Sequence, residues 1–499
     1  MDRPSGAQAA PAGPYRTPAG GATDPAGCRR PATVRTAAPG ASDVARTCDP
    51  HSQTPRPCSG HSYPDIKPDV AKRHASRPPA ADLPGWRVMC CRSITPFTPG
   101  RCGATSRRHR AEENPMTDLT PELRAALSRA VAAGYPFALW RPPYGEAFSL
   151  VVGLDAPVEV PVFDAIPVPG FVMAPFDSVD GNLAWLIPAD VALLPGGYLY
   201  RDGITLGGQP VTDAQRAFAA LPQGAPVRAA PDALPAPDAT PRAEYEARVA
   251  RAVAEIERGG VDKIVLSRIE PRDLAPDHDL ADLAEALARV HPHAFVSLVS
   301  SAPTGTWLTA TPEVLLESSA GGLGTMALAG TQWPEAGTDI ATLTWPQKIV
   351  DEQALVSEFI RAAFIEAGIS GVSETPAATV QAANLCHLRS DFTAPAADPA
   401  QLADLLRRLH PTSAVCGMPK APARDFILAE EGTTRGFYTG YLGPRGIDGC
   451  TALYVNLRSA RVSGGRIFLH VGGGIVAASD PALEYDETVA KTRTIAMVL

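Results

Sequence analysis

The stretch 468–491 constrains the fold most, because an apolar run, three consecutive glycines and a helix start follow one another within it. Residues 466–471 have the composition of a strand. The glycines at 472–474 form a backbone that another group can approach closely, and we expect them in a loop. Asp480 and Pro481 predict the start of a helix, since Asp is a good N-cap and Pro suits the first helical position.

Three side chains of this predicted helix share one face. Glu484 and Glu487 lie three residues apart and Lys491 follows four residues later, which is the spacing of neighbours on a helix. Such a stripe is ordinarily a solvated, salt-bridged surface, and a glycine run is ordinarily only a turn. Their combination instead favours a hard cation such as Mg2+, which binds few carboxylates together with substrate oxygens. The glycines match neither a phosphate loop nor a dinucleotide fingerprint.

Composition and charge narrow the class of protein. The chain has 499 residues, 45% of them apolar and 20% charged, which is typical of soluble proteins of two or three domains. No apolar run reaches the roughly 18 residues of a membrane span, and no secretory signal is seen; we expect a cytoplasmic protein without a membrane partner. Residues 116–499 hold 28 basic and 44 acidic side chains, which argues against a nucleic acid partner.

The first 115 residues differ from the rest. They hold 17 basic and 9 acidic residues and are dominated by Pro, Ala, Gly, Arg, Ser and Thr, a composition that predicts a disordered tail. They contain six of the nine cysteines without paired CxxC units, so zinc is not indicated. Because the sequence from Met116 resembles an ordinary enzyme start, we hypothesise that translation begins there. Cys386, Cys416 and Cys450 are expected to be reduced thiols.

Periodicity outlines the remainder as 116–240, rich in short strands, and 241–499, where helices and strands alternate. Long helices are predicted at about 243–257 and 346–367, and strands at the segments that hold Tyr438 and Arg458.

Lys263 has two interpretations. Strand alternation places it on one face with Val261 and Val265. It is either an edge lysine whose stem lies along apolar neighbours, or a lysine whose lowered pKa lets it act as a base. Glu313, after a Thr-Pro turn, is by itself most simply a surface residue.

The ordered series of segments across 241–499 resembles the chorismate-utilising enzymes, which include isochorismate synthase, salicylate synthase and the large subunits of anthranilate and aminodeoxychorismate synthases. The segment around 136–190 is similar to the N-terminal part of isochorismate synthases. The matching segments are KIVLSR, TATPEVLL, MALAGT, KIVDEQ, CHL, LHPTSAVCGMP, RGFYTGYLGP, NLRSA and GGGIVAASDPALEYDETVAK.

The resemblance implies an α+β fold in which two large antiparallel sheets are flanked by helices in an α/β/β/α arrangement, with chorismate between them. It also implies an isomerase, in which Lys263 activates water and Glu313 protonates the departing hydroxyl. It assigns Mg2+ to Glu352, Glu487 and Glu484. The substrate-binding positions that it implies are His387, Thr331, Tyr438, Arg458, Gly474 and Lys491.

The chemistry agrees with these implied roles. Water adds at one ring carbon while hydroxide leaves another, so a base and an acid are needed. A lysine base must titrate roughly 2 to 3 pH units below its free value, and the acid must remain protonated near neutral pH. Because the substrate is a dianion, Mg2+ and Arg458 would supply positive charge.

Three positions bear on metal binding and on the choice of reaction. Ile349 stands where relatives often carry an acidic residue, which would weaken metal binding. Ala329 stands where aminodeoxychorismate synthase carries a nucleophilic lysine, and anthranilate synthase lacks a lysine at the position of Lys263. Water is therefore the expected nucleophile, and no glutamine amidotransferase partner is expected. Isochorismate synthase is preferred over salicylate synthase, which also eliminates pyruvate, and over an inactive chorismate-binding homologue; menaquinone and siderophore biosynthesis both stay open.

Overall fold

A computed structural model describes residues 118–499, and the backbone of 86–90 before them. Gaps in this description fall at 164–167, 178–182, 202–204, 207–208, 211–217, 224–225, 230–233, 333, 335–337, 383–384 and 433–434. The predicted tail 1–115 otherwise lies outside the described residues. The strand at 86–90 differs from the expected lack of structure there; its sequence WRVMC combines residues that favour strands, and its backbone pairs with an edge strand.

Two of the helices begin at polar residues whose side chains cap them. Thr120 accepts a hydrogen bond from Leu123 N at 3.2 Å, and Asp480 accepts from Ala482 N and Leu483 N at 2.9 and 3.0 Å. None of the helices in the described ranges has the length and apolarity needed to cross a bilayer. The α-helices are α1 (Pro121–Ala133), α2 (Arg242–Arg258), α3 (Leu280–Val290), α4 (Gln347–Glu366), α5 (Pro399–Leu409), α6 (Lys420–Glu431) and α7 (Pro481–Ala496).

The strands come in consecutive runs between these helices and pair antiparallel throughout the described sheets. In chain order they are β1 (Trp86–Cys90), β2 (Phe137–Arg141), β3 (Ser149–Val152), β4 (Val158–Pro161), β5 (Gly170–Ala174), β6 (Leu183–Pro188), β7 (Val191–Leu194), β8 (Gly197–Arg201), β9 (Thr205–Leu206), β10 (Gln209–Pro210), β11 (Lys263–Asp273), β12 (Phe295–Ser301), β13 (Gly305–Thr311), β14 (Val314–Ser319), β15 (Gly322–Gln332), β16 (Ser373–Glu374), β17 (Ala378–Ala382), β18 (Leu385–Ala394), β19 (Gly417–Met418), β20 (Tyr441–Arg445), β21 (Thr451–Val455), β22 (Ser459–Ser463) and β23 (Arg466–Ile475).

Two large sheets carry the fold. The first has the order β1-β8-β7-β3-β2-β12-β13-β22-β23-β11-β19. The second has the order β16-β18-β15-β14-β21-β20-β5-β6-β4, with β17 also paired to β18, and β9 and β10 form a separate hairpin.

Apolar clusters define four layers, which confirms the predicted α/β/β/α fold. Successive residues of β2 alternate between two clusters: Leu139 packs with α1 and α3, whereas Trp140 packs towards the second sheet. Trp140 lies 5.5 Å from Phe171 of β5 between ring centroids. Helices α4 and α5 cover the opposite face of the second sheet.

The long pairing of β11 with β23 corrects the predicted glycine loop. The register runs from Ile264↔Ile475 to Asp273↔Arg466, so β23 continues through residues 472–474 instead of turning at Val471. Two of these strand positions, Gly472 and Gly474, require glycine because neighbouring atoms occupy the space that a side chain would need. A Cβ on Gly472 would lie 2.6 Å from the Leu266 carbonyl oxygen.

Tyr438 and Arg458 do not lie in strands, as their segments had predicted. Tyr438 lies in a turn before β20, next to Thr439 with a φ of 60°. Arg458 lies between β21 and β22 with a φ of 48°. A positive φ interrupts the extended backbone at both points, which alternation of apolar residues alone does not reveal.

A buried ion pair joins α6 to β11. The side chains of Glu431 and Arg435 are 0% and 3% exposed, and Arg435 Nε lies 2.6 Å from Glu431 Oε2. Glu431 also accepts hydrogen bonds from the amide and the hydroxyl of Ser267, both at 2.6 Å. Arg435 Nη1 donates to the Val415 carbonyl oxygen at 3.0 Å, which extends the network into the segment between α5 and α6.

We expect Gly472→Ala to lower the free energy of unfolding by about 1–3 kcal/mol, because the new methyl group must displace the backbone of β11. Gly196→Ala is the matched control, since its Cβ would meet no atom within 4 Å. Urea denaturation of both variants checks the expectation, and equal midpoints would contradict it.

Candidate active site

A cavity of about 730 Å³ gathers almost all the predicted site residues. Its wall is formed by the starts of β11 and α4, the first half of α7 and the loops around β14, β15 and β22. Tyr438 is not among the lining residues. The predicted residues that line the cavity are Lys263, Glu313, Thr331, Glu352, His387, Arg458, Gly474, Glu484, Glu487 and Lys491.

Lys263 enters the cavity from the first position of β11. Its side chain is 17% exposed and its ammonium forms an ion pair with Glu352 of α4. A Cβ on Gly474 would lie 2.8 Å from Lys263 Cε, so the glycine leaves the space in which the lysine stem lies. The two side chains thus neutralise each other's charge inside the cavity.

Glu313 lies in the same cavity, directly after the Thr311-Pro312 turn that ends β13. Burial raises the pKa of its carboxyl to about 7, although the hydroxyl of Thr412 and the charge of Lys263 act in the opposite direction. Thr412 Oγ1 donates to Glu313 Oε1 at 3.1 Å. A carboxyl group that holds its proton near neutral pH can act as a general acid.

The three charged residues of α7 adopt the predicted common face. Lys491 Nζ lies 2.6 Å from Glu487 Oε1 and donates to the Gly472 carbonyl oxygen at 3.0 Å. Burial favours a higher pKa for Glu487, but Lys491, Arg458 and Lys263 outweigh it and lower that pKa. Burial raises the pKa of Glu484, and the nearby charge of Glu487 adds to the effect.

The three predicted metal ligands face the cavity without converging. Glu352 is paired with Lys263 and Glu487 with Lys491. Across the residues that the structure describes, no three acidic, histidine or cysteine side chains are grouped closely enough to hold a metal ion. The chemistry of the donors still fits Mg2+, because carboxylate oxygens are its usual protein ligands and it commonly takes only one or two of them.

Arg458 and Tyr438 are neighbours with different access to the cavity. Arg458 lines the cavity and donates from Nη1 to Thr494 Oγ1 at 3.1 Å. Tyr438 is buried, with its ring 5.4 Å from that of His470, and burial raises the pKa of its phenol to about 12. The two residues interact electrostatically through space, and Tyr438 does not line the cavity.

His387 is held as a neutral imidazole. Burial lowers its pKa to about 4. Its Nδ1 lies 2.7 Å from the Gly330 carbonyl oxygen, which can only accept, so Nδ1 carries the proton and Nε2 is left as an acceptor. Gly330 has a φ of 65° and lies at a register shift between β15 and β18, which turns its carbonyl group and Thr331 towards His387.

Three polar side chains at or near the cavity were not predicted from the sequence: Thr412, Ser413 and Lys348. Thr412 bonds to Glu313, and Ser413 lines the cavity with a buried hydroxyl that has no partner within the described residues. Lys348 lines the cavity from the first turn of α4. The adjacent hydroxyls in the segment LHPTSAVCGMP are the one signal that could have indicated the first two.

Comparison with known proteins identifies the family. Residues 210–499, more than half of the chain, match the family of chorismate binding enzymes. The chain belongs to this chorismate-binding enzyme family.

Two relatives and one solved structure illustrate the similarity. The salicylate biosynthesis isochorismate synthase of Pseudomonas aeruginosa is 36% identical over 50% of this chain and 53% of its own length. The isochorismate synthase of Bacillus subtilis is 33% identical over 50% of this chain and 66% of its own length. The chain thus spans less than two thirds of these curated relatives. The menaquinone-specific isochorismate synthase of Escherichia coli shares the fold, with a TM-score of 0.65 and 23% identity over 77% of this chain and 92% of that chain.

We expect Glu313→Gln to make stability less dependent on pH. The pKa of Glu313 rises from its ordinary value of 4.5 to about 7 in the folded protein. Between these values the unfolded chain loses this proton while the folded protein keeps it, so stability falls as pH rises and levels off above pH 7. Glutamine removes this pH-dependent change in the free energy of unfolding, which is on the order of 3 kcal/mol.

Urea denaturation of the wild type and of Glu313→Gln at pH 5 and pH 8 measures this effect. The difference in the free energy of unfolding between the two proteins should shift in favour of the variant from pH 5 to pH 8. A gap that is the same at both pH values would show that Glu313 ionises normally.

Proposed function

We propose that the protein is an isochorismate synthase, an isomerase that adds water at C2 of chorismate with loss of the C4 hydroxyl in a Mg2+-dependent reaction. The observation that carries the proposal is that Lys263 and Glu313, a candidate base and a candidate acid, face one cavity. The names of the two curated relatives support the same reaction.

The proposed roles of the side chains follow from their charges. Glu313, with its pKa near 7, would give its proton to the departing hydroxyl. Lys263, in its neutral form, would take a proton from the attacking water as the new C–O bond forms. Arg458 and Lys491 would bind carboxylate groups of the dianionic substrate, and Arg458 can do so with two parallel hydrogen bonds.

Mg2+ would be held by Glu352 and Glu487, with Glu484 as an accessory ligand. When bound, the ion supplies positive charge that offsets the substrate carboxylate.

Water is favoured over an amine as the nucleophile. Ala329 lines the cavity at the position where the resemblance places a nucleophilic lysine in aminodeoxychorismate synthase. A methyl group offers no nucleophile, so a covalent route through this position is excluded and no amidotransferase partner is proposed.

Incubation of the protein with chorismate and Mg2+ is expected to yield isochorismate without salicylate or pyruvate. EDTA should abolish product formation and added Mg2+ should restore it, because the carboxylates supply no positive charge themselves. Chromatography of the products provides the measurement. Stoichiometric pyruvate would instead identify a salicylate synthase, and complete lack of turnover would indicate a binding protein.

We expect Lys263→Ala to lower kcat by about 100- to 10,000-fold, the usual contribution of a positioned general base. Lys263→Arg is the matched variant, since its guanidinium can still pair with Glu352 but does not give up a proton. It should be as inactive as the alanine variant while unfolding like the wild type. Substantial activity in the arginine variant would remove Lys263 from the role of base.

A further inference from the structure

Thr412 belongs to a rigid turn between α5 and α6. Its carbonyl oxygen accepts hydrogen bonds from Val415 N at 3.1 Å and Cys416 N at 3.0 Å. Lys420 Nζ donates to the carbonyl oxygens of two residues that precede Thr412, Arg408 and His410, at 2.8 and 3.1 Å. One half-buried ammonium group thus ties the start of α6 to the end of α5, and the residues between them are confined.

The same turn is attached to the strand that carries Lys263. Val265 N donates to the Cys416 carbonyl oxygen at 2.9 Å, and Arg435 Nη1 holds the Val415 carbonyl oxygen. Thr412 and Lys263 are therefore fixed within one hydrogen-bonded framework.

The main chain of Glu313 is fixed independently of Thr412. Its amide donates to Thr311 Oγ1 at 3.3 Å and its carbonyl oxygen accepts from Val455 N at 3.1 Å. The carboxyl group is reached by the hydroxyl of Thr412 and, through space, by the charge of Lys263. Thr412 is thus the hydrogen-bond donor that can decide the direction of this carboxyl group.

We propose that Thr412 is a positioning residue that orients the Glu313 carboxyl towards the substrate and sets how tightly this acid holds its proton. The inference rests on the proposed function and deepens it, because it adds a residue that acts on the acid rather than on the substrate. A hydroxyl that donates to a carboxyl group stabilises the charged form more than the neutral form. Thr412 therefore offsets part of the effect of burial and keeps proton release possible near neutral pH.

The test uses Thr412→Val, which keeps the shape and removes the donor, beside Thr412→Ser, which keeps the donor. The pH dependence of kcat/KM with chorismate is the readout. Activity should fall at high pH as Glu313 loses its proton, and this limb should move upward by about one pH unit in Thr412→Val. The valine variant should also lose activity at its optimum, whereas the serine variant should follow the wild-type profile.

A second measurement does not depend on catalysis. In the wild type, stability should fall with pH until Glu313 ionises in the folded state at about pH 7. In Thr412→Val this fall should extend to higher pH, and introducing Glu313→Gln into the valine variant should remove the extension. Urea denaturation over a pH series follows both effects.

The possible outcomes distinguish the two proposals. An unmoved high-pH limb and an unchanged stability profile in Thr412→Val, with an active wild type, would overturn the role of Thr412 alone. Absence of chorismate turnover in the wild type would overturn the proposed function, whereas the stability profile would still report on the contact between Thr412 and Glu313. Equal losses in the serine and valine variants would mean that shape, and not the hydroxyl, matters at this position.

Discussion

The pairing of β11 with β23 is the constraint on which the candidate site depends. Ten consecutive residue pairs align the two strands, and the alignment places Lys263 beside the strand that leads into α7. The pairing brings Lys263 to carboxylates that follow it by more than 200 residues. It requires the glycines of β23, because a side chain at Gly472 or Gly474 would meet the Leu266 backbone or the Lys263 side chain.

The charges of the cavity are arranged in mutually neutralising pairs. Lys263 is paired with Glu352, and Lys491 with Glu487. Since each isolated charge in a partly buried site would be costly, this pairing stabilises the protein while no substrate is bound. A ligand that breaks either pair would have to compensate the charge that is left behind.

The sequence predicts the parts of the fold that depend on local chemistry. Asp480 and Thr120 begin helices because their side chains bond to nearby amides, and this needs no knowledge of the tertiary structure. The strand at Gly472 was not predictable, because a glycine run lacks the side chains that distinguish strands from loops. Arg458 was wrongly predicted to lie in a strand, because the chain passes there from the second sheet to the first, which local pattern does not show.

The candidate site was predicted through the resemblance rather than from local pattern, because Lys263, Glu313 and Glu487 meet only after the sheets pair. Thr412 could not be found in this way. Its importance lies in one contact with Glu313 across 99 positions of the chain, and threonine in a turn has many ordinary reasons to be present.

The buried pair of Glu431 and Arg435 has a consequence for how such a chain can diverge. Loss of either partner leaves an uncompensated charge in the interior, which typically costs about 3–5 kcal/mol, whereas joint replacement by apolar residues is often neutral. Replacement of the two residues one at a time passes through an intermediate that has one unpaired buried charge. We therefore expect the two residues to be retained or replaced together, which preserves the hydrogen-bonded framework around Ser267 and Val415.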